Sequence, residues 1–298
     1  MDYQKYDKDR RFQKKSLALI EQINAILDEY REQGFTLTLR QIYYQLVGRD
    51  IIKNDQKVYD NLGTLIKNGR NAGRIAWDMV VDRTRELHVL PHWETPASII
   101  RAAANQYRRD LWEGQKTYCE VWVEKDALIG IVEQAADRLA CPCFSCRGYD
   151  STSSIREAAK RFIEKTGQGK ECIIIHIGDC DPSGQHMTED IGNRLAYYEA
   201  TVTVNRIALN MDQVELYKLP PNVLKKDKEK KKYSDSRAMA YIKKYGKKSW
   251  EVDALRPEVL TELITTAIKN RLDQKKYDKA LKKMEAERKQ IQALQEYL

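Results

Sequence analysis

Residues 172–184 read C-I-I-I-H-I-G-D-C-D-P-S-G. An apolar, β-branched run stops abruptly at two carboxylates, Asp179 and Asp181. A run of this length and content suits a strand buried in a parallel sheet. Pro182 and Gly184 end it and turn the chain. In open α/β sheets, ligands and reacting groups gather at the carboxyl ends of the strands. Two negative charges at the lip of a buried strand repel each other. A hard divalent cation held by oxygen ligands relieves that repulsion.

Strand–helix alternation surrounds this run. The segments Y-C-E-V-W-V, P-C-F-S-C, E-C-I-I-I-H-I and T-V-T-V-N-R-I-A-L read as strands, with helices opening near Asp126, Ser151 and Pro182. Repeated βα units imply an α/β domain with a parallel sheet and right-handed crossovers. The first of these strands ends in Glu124, followed by Lys125 and Asp126. Laid beside the Asp179 strand, Glu124 faces both aspartates across one strand end. Glu124, Asp179 and Asp181 then form an oxygen cage for Mg2+, with water and substrate phosphate as further ligands. Alone, Glu124 reads as a helix cap or a surface ion pair; the D-x-D pair favours the metal. Lys125 is placed to touch phosphate, and Arg147 at a strand end is a DNA-contact candidate. His176 and His186, which flank the acids, read as structural residues.

Upstream, residues 16–34 have the spacing of an amphipathic helix, with Leu17, Ile20, Ile23, Leu27 and Tyr30 on one face and Gly34 at its end. Thr38 caps a second helix, L-R-Q-I-Y-Y-Q-L-V, that stops near Gly48. A third helix over residues 56–71 carries Lys57, Lys67 and Arg70, with Gly73 and Arg74 just beyond. Residues 74–85, R-I-A-W-D-M-V-V-D-R-T-R, alternate as a wing-like strand or hairpin. Three helices, a tight turn and a wing make a winged helix-turn-helix, with the basic third helix facing the DNA groove. On the second helix, a turn of about 100° per residue puts Leu39, Ile42, Tyr43 and Leu46 on one buried stripe. Tyr44 falls off that stripe, exposed, beside Arg40 one turn earlier. Packing of both tyrosines is the plainer reading of the same pair.

This organisation divides the chain into a winged-helix domain over residues 1–90, a linker helix over 91–116 and an α/β domain over 117–298 with a helical C-terminal region. From Pro257 on, Leu260, Leu263, Ile264, Ala267 and Ile268 mark a helix that packs on the sheet or on a second subunit. The 298 residues suit two domains. The formal net charge of +8 favours a polyanionic partner. No apolar stretch approaches the roughly 20 residues of a membrane span, and the charged first residues lack a secretory core. The expectation is a cytoplasmic protein at the nucleoid or on mobile-element DNA, with no membrane partner. The six cysteines read as reduced, buried thiols. C-P-C-F-S-C has no second pair at zinc-site spacing. The lysine-dense run L-K-K-D-K-E-K-K-K-Y from Leu224 reads as a surface loop, or as a loop that contacts phosphates.

V-E-K-D-A-L and G-D-C-D-P-S-G resemble the Toprim domain of topoisomerases, primases and related nucleases. R-G-Y-D-S-T-S-S-I-R, from Arg147, is similar to the segment between those motifs in the A subunit of type IIB topoisomerases (topoisomerase VI) and their meiotic double-strand-break relatives. R-Q-I-Y-Y resembles the catalytic-tyrosine motif of the same branch, carried on a winged helix. The resemblance covers residues 36–209, with the motifs in the same order. It implies that Tyr44 attacks a phosphate of double-stranded DNA and leaves a 5′-phosphotyrosyl link. Arg40 would stabilise the reacting charges, and Glu124, Asp179 and Asp181 would hold Mg2+. It also implies a homodimer in which one subunit's tyrosine works with the other's metal site, and a separate ATPase subunit. The chain itself has no G-x-x-x-x-G-K-[ST] loop. A free tyrosine hydroxyl has a pKa of about 10 and needs a base, a cation or a metal to attack. A second reading is a Toprim-type endonuclease in which water attacks and no covalent intermediate forms. A third is a DNA-binding module without chemistry.

Overall fold

Side-chain caps set the helix starts. α1 (Lys14–Glu32) buries Ile20, Ile23, Ile26, Leu27 and Tyr30 along one face. α2 (Leu39–Gly48) opens on a capping box between Thr38 and Gln41. α3 (Gln56–Asn71) opens on Asp55, whose carboxylate accepts from the amides of Lys57 and Val58. The three helices pack on one another and follow the spans expected from their spacing. The computed structural model describes residues 2–81, 92–146, 152–224, 233, 235 and 237–294.

The hairpin expected over residues 74–85 is absent from its described part. Residues 74–81 form turns, and a single parallel bridge joins Val80 to Leu37. The apolar positions there serve packing instead. The Trp77 amide donates to the Asp2 carbonyl at 2.7 Å and its indole to that of Gln4 at 3.0 Å. The Arg70 guanidinium lies over the same indole, 4.4 Å from its centroid. Residues 82–85 fall outside the described residues.

α4 (Pro96–Gln106) opens on Thr95 with proline in its first turn, within the linker helix expected over 91–116. The βα units follow: β1 (Thr117–Val123), a 3₁₀ turn (Asp126–Leu128), α5 (Ile129–Asp137), β2 (Cys143–Ser145), α6 (Thr152–Gly167), β3 (Glu171–Ile177), α7 (Pro182–Tyr197) and β4 (Thr203–Ala208). All four strands are parallel, in the order β2-β1-β3-β4. The protein is therefore α/β. Beyond the sheet come α8 (Met211–Leu216), β5 (Asn222–Val223), α9 (Ala238–Tyr245), β6 (Lys248–Ser249), a 3₁₀ turn (Val252–Ala254), α10 (Pro257–Lys269) and α11 (Gln274–Ala293). β5 and β6 pair antiparallel.

Both faces of the sheet are covered, which is why its strands read as continuous apolar runs. α5 and α10 cover one face; α10 buries Leu260, Ile264 and Ile268 there, so the C-terminal region does pack on the sheet. α6 and α7 cover the other, over Trp122, Cys172 and Ile174. The core of α1–α3 runs without a break into the first face: Ile23, Leu46 and Ile66 belong to the same cluster as Val121, Ile175 and Ile264. All six cysteines are unbonded thiols, five of them buried. Among the described residues no helix is long and apolar enough to cross a membrane.

Candidate active site at the strand ends

From β1 the chain crosses to β2 on one side, then returns past β1 to β3 and β4 on the other. The gap between β1 and β3 is the switch point where open α/β sheets hold their ligands. Glu124 and Asp179 follow these two strands. The Glu124 amide extends the ladder by donating to the Ile177 carbonyl at 2.9 Å. Its Oε2 accepts from the Asp179 amide at 2.9 Å. Asp179 is 6% exposed. Its Oδ1 accepts from the Val252 amide at 2.8 Å, and its Oδ2 lies 2.9 Å from Lys125 Nζ. Asp181 caps α7 by accepting from the Gly184 amide at 2.6 Å. A β-carbon at Gly184 would overlap the Asp179 carbonyl, so only glycine lets α7 start this close to the loop. Burial and then the neighbouring Asp179 charge push the Glu124 carboxyl up to about 7. Burial also raises Asp179, against the pull of Lys125.

Two supports have no counterpart in the expected residues. Arg206, on β4, donates to the carbonyls of Gly178 (2.8 Å), Asp179 (2.5 Å) and Gly184 (3.0 Å) and to Thr188 Oγ1 (2.9 Å). It clamps the D-x-D loop from behind. The second support is the segment 250–253. Trp250 and Cys180 exchange backbone hydrogen bonds of 2.8 and 3.0 Å, which lays this segment along the D-x-D loop. Lys125 Nζ then lies 2.7 Å from Glu251 Oε2 and 3.3 Å from Asp253 Oδ2. Arg40 Nε is 2.5 Å from Asp253 Oδ2, and its other end pairs with Glu251. The sequence does carry a signal for this support: W-E-V-D, like G-D-C-D, sets two carboxylates one residue apart. Arg206, inside a strand pattern, carries none.

Tyr44 is 5% exposed, not the open side chain that the helix geometry predicts. The face of α2 that lies off its apolar stripe is covered by the turn Val252–Ala254. Burial pushes the Tyr44 phenol up; hydrogen bonding with Asn222 and the charges of Arg40 and Lys125 draw it down. The Arg40 guanidinium lies 5.6 Å from the centroid of the Tyr44 ring. Tyr43 is buried too, its hydroxyl donating to Asn54 Oδ1 at 2.9 Å and accepting from the Asp55 amide at 2.8 Å. A cleft of about 560 Å³ opens beside these groups, lined by Arg40, Tyr44, Asn54, Asp181, Asn222 and Glu251 among others. One chain thus gathers Tyr44, Arg40 and Asp181 at one cleft, with Lys125 and Asp179 joined to it through the ion pairs and Glu124 through the hydrogen bond from the Asp179 amide.

Of the expected DNA contacts, Lys125 lies in the site and those on and beyond α3 lie outside the cleft lining. Lys57 and Lys67 are exposed on α3. Arg70 is half-buried against Trp77 and donates to its carbonyl at 3.0 Å. Arg74 is exposed, its guanidinium 5.9 Å from the Phe12 ring. Arg147 and residues 225–232 of the lysine-dense run lie outside the described residues. His176 is fully buried with Nδ1 2.9 Å from Thr188 Oγ1.

Among the described residues no three His, Cys, Asp or Glu side chains converge as a metal cage. The cage expected from Glu124, Asp179 and Asp181 is not closed, because Asp179 gives both oxygens to Val252 and Lys125 while Asp181 caps α7. In kind, the donor set fits a hard cation. It is all oxygen, and three carboxylates, Glu124, Asp179 and Asp181, follow two adjacent strands. Set against known proteins, the chain matches no family model and no curated sequence.

Proposed function

We propose that the chain cleaves double-stranded DNA by attack of Tyr44 on a backbone phosphate, in a site that Mg2+ completes at Glu124, Asp179 and Asp181. One observation carries this reading: Tyr44 lines a single cleft with Asp181, which follows β3, one of the two strands between which the order reverses. When bound, Mg2+ supplies positive charge to offset that of the phosphate and the leaving oxygen. Arg40 bears on the phenolate that forms at Tyr44. Asn222 orients the hydroxyl, and Lys125 adds a second cation beside the acids. The covered position of Tyr44 keeps bulk water from competing for the phosphate. The parallel sheet with strand-end acids supports a Toprim-like domain, and α1–α3 with the Leu37–Val80 bridge support a winged-helix unit. Together they support kinship with the type IIB topoisomerase A subunit, acting as a homodimer and with a separate ATPase subunit. The net charge of +8 supports a DNA partner.

The burial that raises the Tyr44 phenol favours a second reading, in which water attacks and Tyr44 only shapes the cleft. Incubation with plasmid and Mg2+, followed by SDS with or without protease, separates the two. The expected outcome is protein joined to 5′ ends. Tyr44→Phe abolishes the adduct and lowers cleavage by about a thousandfold or more, the scale of losing a nucleophile with no substitute. Free ends, with full cleavage by Tyr44→Phe, point to the water nuclease.

A further inference from the structure

The tyrosine helix and the strand-end acids are tied together within this chain. Arg40 and Tyr44 stand one turn apart on α2. The Asp253 side chain, 0% exposed, takes Arg40 Nε at 2.5 Å and Lys125 Nζ at 3.3 Å on the same oxygen. Lys125 Nζ is in turn 2.9 Å from Asp179 Oδ2. Glu251 accepts from both cations and also from Asn222 Nδ2 at 3.2 Å. The Trp250–Cys180 backbone pairing holds this segment in place independently of its charges, and the Val252 amide adds a bond to the Asp179 carboxylate.

We infer that Asp253 is a positioning residue that completes the cleavage site within one chain, by holding Arg40 of the tyrosine helix and Lys125 of the strand-end acids on one carboxylate. The inference rests on the tyrosine reading of the cleft. It differs from the two-subunit site that the sequence resemblance implies, and it gives the buried E-V-D segment a function.

Two measurements test it. Asp253→Asn keeps the shape and removes the charge that balances both cations. Cleavage turnover is expected to fall by about a hundredfold, with the KM for plasmid DNA changed by less than about two-fold. Wild-type turnover in Asp253→Asn overturns the positioning role, and so does a loss confined to KM. The second measurement does not depend on that variant folding. Tyr44→Phe and Glu124→Gln chains carrying different tags are co-expressed, and the species bearing both tags is purified, or the two are mixed if no such species forms. A site complete in one chain leaves the pair as inactive as either parent. Cleavage regained by the pair overturns the single-chain site and leaves the tyrosine reading standing. Full cleavage by Tyr44→Phe alone overturns both.

Discussion

At His176 an imidazole lies beneath the D-x-D loop with Nε2 unpartnered and the Arg206 guanidinium nearby. Burial, and then Arg206, lower its pKa from the ordinary 6.5 to about 3. Between these values the unfolded chain binds a proton that the folded chain refuses, so stability falls as pH drops from about 6.5 towards 3, by about 1.4 kcal/mol per pH unit. His176→Gln removes this component. Urea unfolding at pH 7, 6, 5 and 4 should show the stability gap between wild type and variant narrowing as pH falls. A gap constant across the series would mean that His176 charges in the folded state. Helix geometry alone misplaces Tyr44, which is buried. Its hydrogen-bonding partner, Asn222, lies far downstream, and no periodicity within α2 reports what the rest of the chain lays over it.

Elements were largely written in local chemistry. Thr38 opens its helix where its cap predicts, and the two long apolar strands lie where their runs do. Juxtapositions between elements were legible only where topology dictates them, as for Glu124 beside Asp179. The 250–253 segment and Arg206 reach the site through packing, which local patterns do not encode. Glu120 makes the same point inside β1. Its carboxylate is buried but satisfied by Tyr118, Trp122 and two bonds of 3.1 Å from Arg161 on α6, a partner that no strand pattern announces. The contact between α7 and the D-x-D loop can be probed at the same scale. In Gly184→Ala the new methyl meets the Asp179 backbone and Glu124 Oε2, which overpacks the loop and costs about 1–3 kcal/mol. Gly167→Ala, at the end of α6 with open space around it, is expected to be neutral or slightly stabilising. Chemical denaturation of the two variants checks the contrast; equal effects would mean that α7 can back away from the loop.

Across the whole molecule, the apolar cluster that joins α1–α3 to one face of the sheet predicts a single cooperative unfolding transition. Far-ultraviolet circular dichroism and the fluorescence of the five tryptophans should give coincident urea curves. Separate midpoints would mean that the helical unit melts alone. The reversal of strand order has a further consequence, for inheritance. Neighbouring strands lie about 4.8 Å apart by virtue of their backbone ladder, so the approach of Glu124 to Asp179 is set by connectivity. The helices on either face can drift in sequence without separating the pair. Distant kin of this chain should then be easier to find by that strand-end acid pair and its order along the chain than by identity averaged over all positions.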